Sequence, residues 1–350
     1  MELVRKRNKA AETEAVGAFW RWWSVAGAGL ITAAVMTGVY GDLPEMIGAM
    51  VMAIHPELRW ETGPGARSRH RLCVSGGGDP RLRVLAERWR RAAPPPTETW
   101  EFAAARQAQP VVLTGTLEGL GEEVDLGLAR IAMDWDDRSA LAELTVFHPA
   151  FKGMGTNDCR QAGRLLVDWM LGEDDVQRWV GAINVARTDP RDSQPAAVVP
   201  EFFQAVATRN PAPRWTMREA KTSSGHRVIV CALRPLRWVD HPLLDLHTAV
   251  RISYRRTGSD GLPDDGLPDG EALMGLLHLE KDLESALGPR GTVVASETSN
   301  GLRVLHYYSD SEDQNGRDSL DRFARTRNDV EVVHTYDPGW GRVRKFIQAG

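Results

Sequence analysis

The chain has little cysteine: Cys73, Cys159 and Cys231 are odd in number and far apart. They match neither a zinc spacing nor a disulfide framework, so buried structural thiols in a reducing, cytoplasmic setting are expected. A basic excess is also missing. With a net charge of −4, bulk electrostatics does not make the chain a nucleic-acid coat. There is no GxGxxG, no GxxxxGK[ST], no HExxH, no GxSxG, and no cysteine paired with histidine in a familiar signature. No catalytic residue, metal ligand set or cofactor is therefore assigned. One long uncharged run exists, Trp22 to Gly41, with Arg5, Lys6, Arg7 and Lys9 before it, tryptophans at one end and Tyr40 at the other. That is the pattern of a membrane span. Its side chains are mostly Gly, Ala, Ser and Thr, which gain little in lipid. A soluble helical entry is expected, with membrane association through residues 22–41 as the alternative.

The best-patterned stretch lies between Gly261 and Asp310. Gly261, Pro263, Gly266, Pro268 and Gly270 punctuate an acidic turn. Asp269 then suits a helix N-cap and Glu271 its first turn, where the helix dipole favours a carboxylate. Ala272, Leu276, Leu279, Leu283 and Ala286 recur at helical spacing, and Leu273, Leu277 and Leu287 widen that stripe. Glu280, Lys281, Asp282 and Glu284 are expected to face water. Gly288-Pro289 stops the helix. Strands follow at 292–297 and 302–308, joined by Asn300-Gly301, a type I′ hairpin signal.

Before this stretch, residues 246–255 alternate as a half-buried strand, and after it come a helix (318–327) and a strand (330–336). The order β-α-β-β-α-β predicts a ferredoxin-like sandwich with helices on one sheet face. The residues LHTAVRISYR, GLPD, the leucine helix, TSNGLRVLHYYSD and YDPGW resemble the bacterial domain-of-unknown-function family numbered 695. That family is distantly similar to regulator B, a non-catalytic protein that binds and inhibits ribonuclease E. FWRWW, the block from Trp60 to Trp100 and LLVDWMLGEDDVQRWVGAI resemble the portion that often precedes the domain. The resemblance implies a protein-binding fold and supplies no catalytic residues.

The expected fold class is α+β in three parts. These are an N-terminal helical segment (1–54), an α+β sandwich (55–190) and the ferredoxin-like domain (191–350), with a Pro-, Asp- and Ser-rich linker over 188–200. Strands are expected at 58–62, 70–75, 100–105, 111–117, 129–135 and 141–147. Helices are expected over 44–54, from Asp79-Pro80 to 92, over 158–171 and over 196–208.

Several groups carry candidate chemistry. Gly76-Gly77-Gly78, between a strand and a helix, could cradle a phosphate, although Asp79 would repel it and a tight turn is the simpler reading. Arg67, Arg69 and Arg71, alternating on one strand face, join Arg81, Arg83, Arg88, Arg90 and Arg91 in a basic island that could hold RNA or an acidic partner. Asp264, Asp265, Asp269 and Glu271 form the opposite, acidic surface. His306 and His334 are expected on the apolar side of their strands and His247 on a polar side, which disfavours a three-histidine metal site. Asp168, Glu173, Asp174 and Asp175 read as helix-initiating acids.

Three functions stay open: a non-catalytic protein-binding regulator, an inhibitor or immunity-type protein; an enzyme or binder acting on nucleic acid or a phosphorylated ligand through the basic island; and a membrane-tethered protein.

Overall fold

Phe19, Trp20 and Trp23 recur at helical spacing, and in the computed structural model they turn one side of a long N-terminal helix into a core. Residues 2–109, 113–117, 124–254 and 266–348 are described. The chain divides into two units, Met1–Arg209 and Asn210–Gly350.

In the first unit α1 (Glu2–Trp22) runs through a π-helical turn (Trp23–Gly27) into α2 (Ala28–Thr37), which Gly38 ends in the left-handed conformation. Then α3 (Leu43–Ile54) buries Leu43, Ile47, Val51 and Ile54. Next come β1 (Arg59–Pro64), β2 (His70–Ser75), α4 (Pro80–Arg91) and β3 (Trp100–Ala103). The turn between β1 and β2 makes them antiparallel, whereas α4 crosses over and sets β3 parallel to β2. Leu72 and Val74 point into the tryptophan core, where the Trp20 and Trp89 rings lie 4.7 Å apart. Trp20 Nε1 donates to the Trp89 carbonyl, and Trp100 Nε1 to Thr32 Oγ1.

The second half of this unit repeats the logic. A short ladder, β4 (Thr116–Leu117) with β5 (Val124–Asp125), precedes β6 (Arg130–Asp136) and β7 (Leu141–Phe147). Helices α5 (Thr156–Leu171) and α6 (Glu173–Trp179) cross over to β8 (Val180–Ala186), parallel to β7. The sheet order is β8-β7-β6-β9, with β9 at Gln194–Pro195. Ala142, Leu144 and Val146 meet α5 and α7 (Val199–Arg209) in a second core. The segment expected to be a linker, 188–200, thus supplies β9 and the start of α7, and the division falls after Arg209. Among the described residues no helix is long and apolar enough to cross a membrane.

The second unit is built on one antiparallel sheet in the order β10-β11-β13-β14-β12-β15. Its strands are β10 (Arg214–Lys221), β11 (Arg227–Arg234), β12 (Leu246–Ser253), β13 (Gly291–Ser299), β14 (Leu302–Ser309) and β15 (Val330–Tyr336). Helices α8 (Gly270–Leu287) and α9 (Gln314–Arg325) cover one face, where Val250, Ile252, Leu305 and Tyr307 meet Leu276, Leu283 and Leu320. The other face is not open. Trp238, Trp340 and α10 (Gly341–Gln348) close it over Ala232, Ala295 and Tyr308. The chain is therefore α+β, with several sheets.

Asn300 (φ 49°) and Gly301 (φ 77°) make the hairpin turn that their sequence signals. Gly266 docks on it, with φ 75° and its carbonyl accepting from Tyr254 Oη and the Gly301 N–H. A Cβ at Gly266 would lie 2.9 Å from Asn300 Cα. Gly266→Ala is accordingly expected to destabilise the protein by about 1–3 kcal/mol. Gly270→Ala, in open space in the first turn of α8, should be neutral or slightly stabilising. Denaturant unfolding of the two variants checks the pair; equal effects would contradict the docking.

Candidate functional site

The acidic turn is only partly in view, because Asp264 and Asp265 lie outside the described residues. Asp269 is the α8 N-cap, its Oδ1 accepting from the Ala272 N–H at 2.8 Å, so its carboxylate serves the helix first. Glu271 is exposed. The apolar stripe of α8 is narrower inside than its sequence suggests. Leu276, Leu283 and Leu287 are buried, while Leu273, Met274 and Leu277 stand in solvent on one flank. Glu280 does not face water. It is half-buried in an ion pair with Arg303 of β14, and burial pushes its carboxyl up against the opposing pull of that guanidinium. The outer flank of α8 thus combines an acidic first turn with three exposed apolar side chains.

The basic island comes apart in three dimensions. Arg67 and Arg69 are exposed but precede β2, so they do not alternate on a strand face with Arg71. Their loop is held by Glu101, whose carboxylate accepts from the Ala66, Arg67 and Ser68 N–H groups. Arg71 is buried. Arg83 is buried too, donating to Glu87 and in fork geometry to both oxygens of Asp174. Burial pushes the Glu87 carboxyl up, yet hydrogen bonds and charge from Arg90 and Arg83 hold it below the usual range. Arg91 also reaches Glu87, Arg81 pairs with its neighbour Asp79, and Arg88 is half-buried. Glu87 thus engages Arg83, Arg90 and Arg91, while the Arg81, Arg90 and Arg91 side chains stay exposed.

Gly76-Gly77-Gly78 does receive an anion, and it is the protein's own. The Glu173 carboxylate accepts from the Gly78 N–H at 2.6 Å, from Ser75 Oγ at 2.5 Å and from the Arg106 N–H at 3.2 Å. Glu173 starts α6 as its sequence suggests, but its side chain is almost fully buried. Gly77 (φ 61°) and Gly78 (φ 85°) supply the backbone that aims the N–H. Cys73 lies nearby, its thiol pushed up by burial and then by Glu61 and Glu173.

In the second unit two histidines meet. His247 Nε2 and His306 Nδ1 are 2.9 Å apart, and His306 Nε2 lies 3.2 Å from Glu297 Oε1, which also accepts from Lys345 of α10. The expectation that His306 and His334 share an apolar side, away from His247, is corrected. The register sets Ala249 opposite His306, placing His247 and His306 on the α10 face, while His334 sits on the other face with Thr248 and Asp321. Parity failed because both faces of this sheet are covered. Burial, then His306, push His247 down to about 4, with Asp337 opposing and Arg342 and His334 adding to the fall. Below His247, Tyr308 Oη donates to Asp337 Oδ2, and burial and that bond push the phenol up. Asp337 also accepts from the Gly341 and Arg342 N–H groups, tying α10 to the sheet. No group of three or more His, Cys, Asp or Glu among the described residues could hold a metal ion.

The class these features define is an α+β protein in which Glu173, Glu87, Asp174 and His247 are engaged by groups within the fold. Comparison with protein-family models, curated proteins and solved structures finds no match.

Two outcomes follow from these clusters. Glu173→Ala leaves three donors unpaired and should destabilise the first unit by about 2–4 kcal/mol, read by denaturant unfolding; a loss within about 0.5 kcal/mol would contradict the cradle. His247 has a folded pKa below its unfolded value, so from pH 6.5 down to about 4 the unfolded chain binds a proton that the folded chain does not. Stability should fall with acidification across that window, by at most about 3 kcal/mol, and be free of this contribution above it. His247→Gln should flatten that part of a stability–pH profile, and an unchanged slope would assign it to other groups.

Proposed function

We propose that the chain is a non-catalytic protein-binding regulator, and that the outer flank of α8 is its contact surface. One observation carries this reading: Leu273, Met274 and Leu277 are exposed together beside an acidic first turn, on a helix whose other flank is packed. An apolar patch rimmed by carboxylates suits a partner with a greasy groove and basic edges. The strand order β13-β14-β12-β15, with α8 and α9 as the crossovers, supports reading this unit as a ferredoxin-like split βαβ sandwich extended by the β10–β11 hairpin. Such a sheet would present α8 rigidly. The resemblance to family 695, and through it to an inhibitor of ribonuclease E, points the same way.

The basic-island alternative has less support. Arg71 and Arg83 are inside, and Glu87 engages Arg83, Arg90 and Arg91, so Arg67 and Arg69 are left as the exposed cations of the loop before β2.

The test is capture of partners on the tagged full chain, with and without nuclease. A stoichiometric protein partner should survive nuclease treatment, and Leu273→Glu with Leu277→Glu should reduce its capture at least tenfold while unfolding midpoints stay unchanged. Capture of nucleic acid alone, or undiminished capture by the double variant, would overturn the assignment of α8.

A further inference from the structure

Helix α10 closes over a chain of hydrogen bonds that begins at its own Lys345. Lys345 Nζ donates to Glu297 Oε1 at 3.1 Å, and His306 Nε2 lies 3.2 Å from the same oxygen. Burial pushes the Glu297 carboxyl up, but hydrogen bonds and charge from His306 and Lys345 outweigh it and hold Glu297 below the usual range. A carboxylate only accepts, so His306 Nε2 carries the proton toward it and His306 Nδ1 is left to accept in turn. His247 Nε2 donates to that Nδ1 at 2.9 Å. Such a contact holds one proton between two ring nitrogens. A first added proton fits, because His306 becomes an imidazolium beside Glu297 and His247 turns acceptor. A second does not fit, since N–H would then face N–H.

The groups around the pair come from every element packed there. His306 and Tyr308 belong to β14, Glu297 to β13, and Arg342 and Lys345 to α10, with Asp337 just before it. Arg234 of β11 donates to the Phe346 carbonyl, His241 stacks on Trp340 at 6.1 Å, and His334 acts from the other sheet face. Of these, Asp337 attracts a proton on His247, whereas His306, Arg342 and His334 repel it. When the rings must part, β12 and β14 are fixed, each bonded to a strand on both sides. Helix α10 has no such frame. Its eight residues are too few to hold a helix alone. It is seated by buried Val343 and Phe346, the latter 5.1 Å from the His306 ring, and by Asp337 on the Gly341 and Arg342 N–H groups. Charging His247 sets it against the α10 N-terminus as a rival for Asp337.

We propose that α10 is an acid-sensitive latch: a second proton on the His247–His306 pair parts the rings and releases α10 from the sheet, while the rest of the second unit stays folded. Release uncovers Ala232, Ala295 and Tyr308, so the latch controls an apolar face that is closed at neutral pH. The latch is independent of the α8 surface.

Native-state hydrogen exchange of the full chain tests this, with each amide rate referred to its intrinsic value at that pH. His247 is held down to about 4 from an ordinary 6.5, so opening α10 takes up a proton throughout that interval. Protection of the Val343–Phe346 amides should fall roughly tenfold per pH unit across it, while β14 amides keep theirs. His247→Gln keeps a donor toward His306 but takes no proton, and should leave α10 protected over the same interval. Arg342→Gln removes a charge that pushes His247 down, and should move the release to higher pH. The proposal is overturned by an α10 unprotected at neutral pH, by protection unchanged to the acid end of the interval, by loss from α10 and β14 together, or by a release that neither variant shifts.

Discussion

The first unit closes on a single carboxylate. Removing Glu173 from water is costly, and it is tolerated because Gly78, Ser75 and Arg106 direct three donors at it. Of those donors Ser75 ends β2 and Gly78 lies in the loop that follows it, and the acceptor opens α6 in the other half of the unit. The fork between Arg83 of α4 and Asp174 of α6 lies beside it. Apolar packing makes two separate cores here. The polar seam fixes how they meet, since a hydrogen-bonded charge has few acceptable geometries whereas greasy surfaces have many.

The second unit solves a related problem with a sheet covered on both sides. The crossovers α8 and α9 take one face, and a short C-terminal helix, held by Asp337, takes the other. Burial of both faces explains why His247, His306 and His334 bond to neighbouring side chains. What is left exposed in this unit is then informative: Leu273, Met274 and Leu277 stand on the flank of α8.

Much of this was legible in the order of residues. Asn300-Gly301 marks its turn, Asp269 and Asp79 cap the helices that follow them, and the leucine spacing marks α8, because each depends on contacts within a few residues. The same local signals read 188–200 as a linker, a segment that supplies β9 and the start of α7. They also painted an arginine island onto a surface where Arg71 and Arg83 are inside. Alternation tells which residues share a face and not what covers that face, so His247 was assigned to water that is not there.

Sequence by itself therefore determined the elements, their caps and turns, and the absence of any familiar catalytic signature, all from short-range sterics and hydrogen bonding. Tertiary structure alone decided that a glycine loop holds Glu173, that Glu87 gathers the arginines, and that His247 meets His306. Those pairings join residues 95, 4 and 59 positions apart. Even the close pair in α4 depends on burial that distant segments impose. Burial and long-range partners set the energy of a charge, and neither is written in the neighbours along the chain.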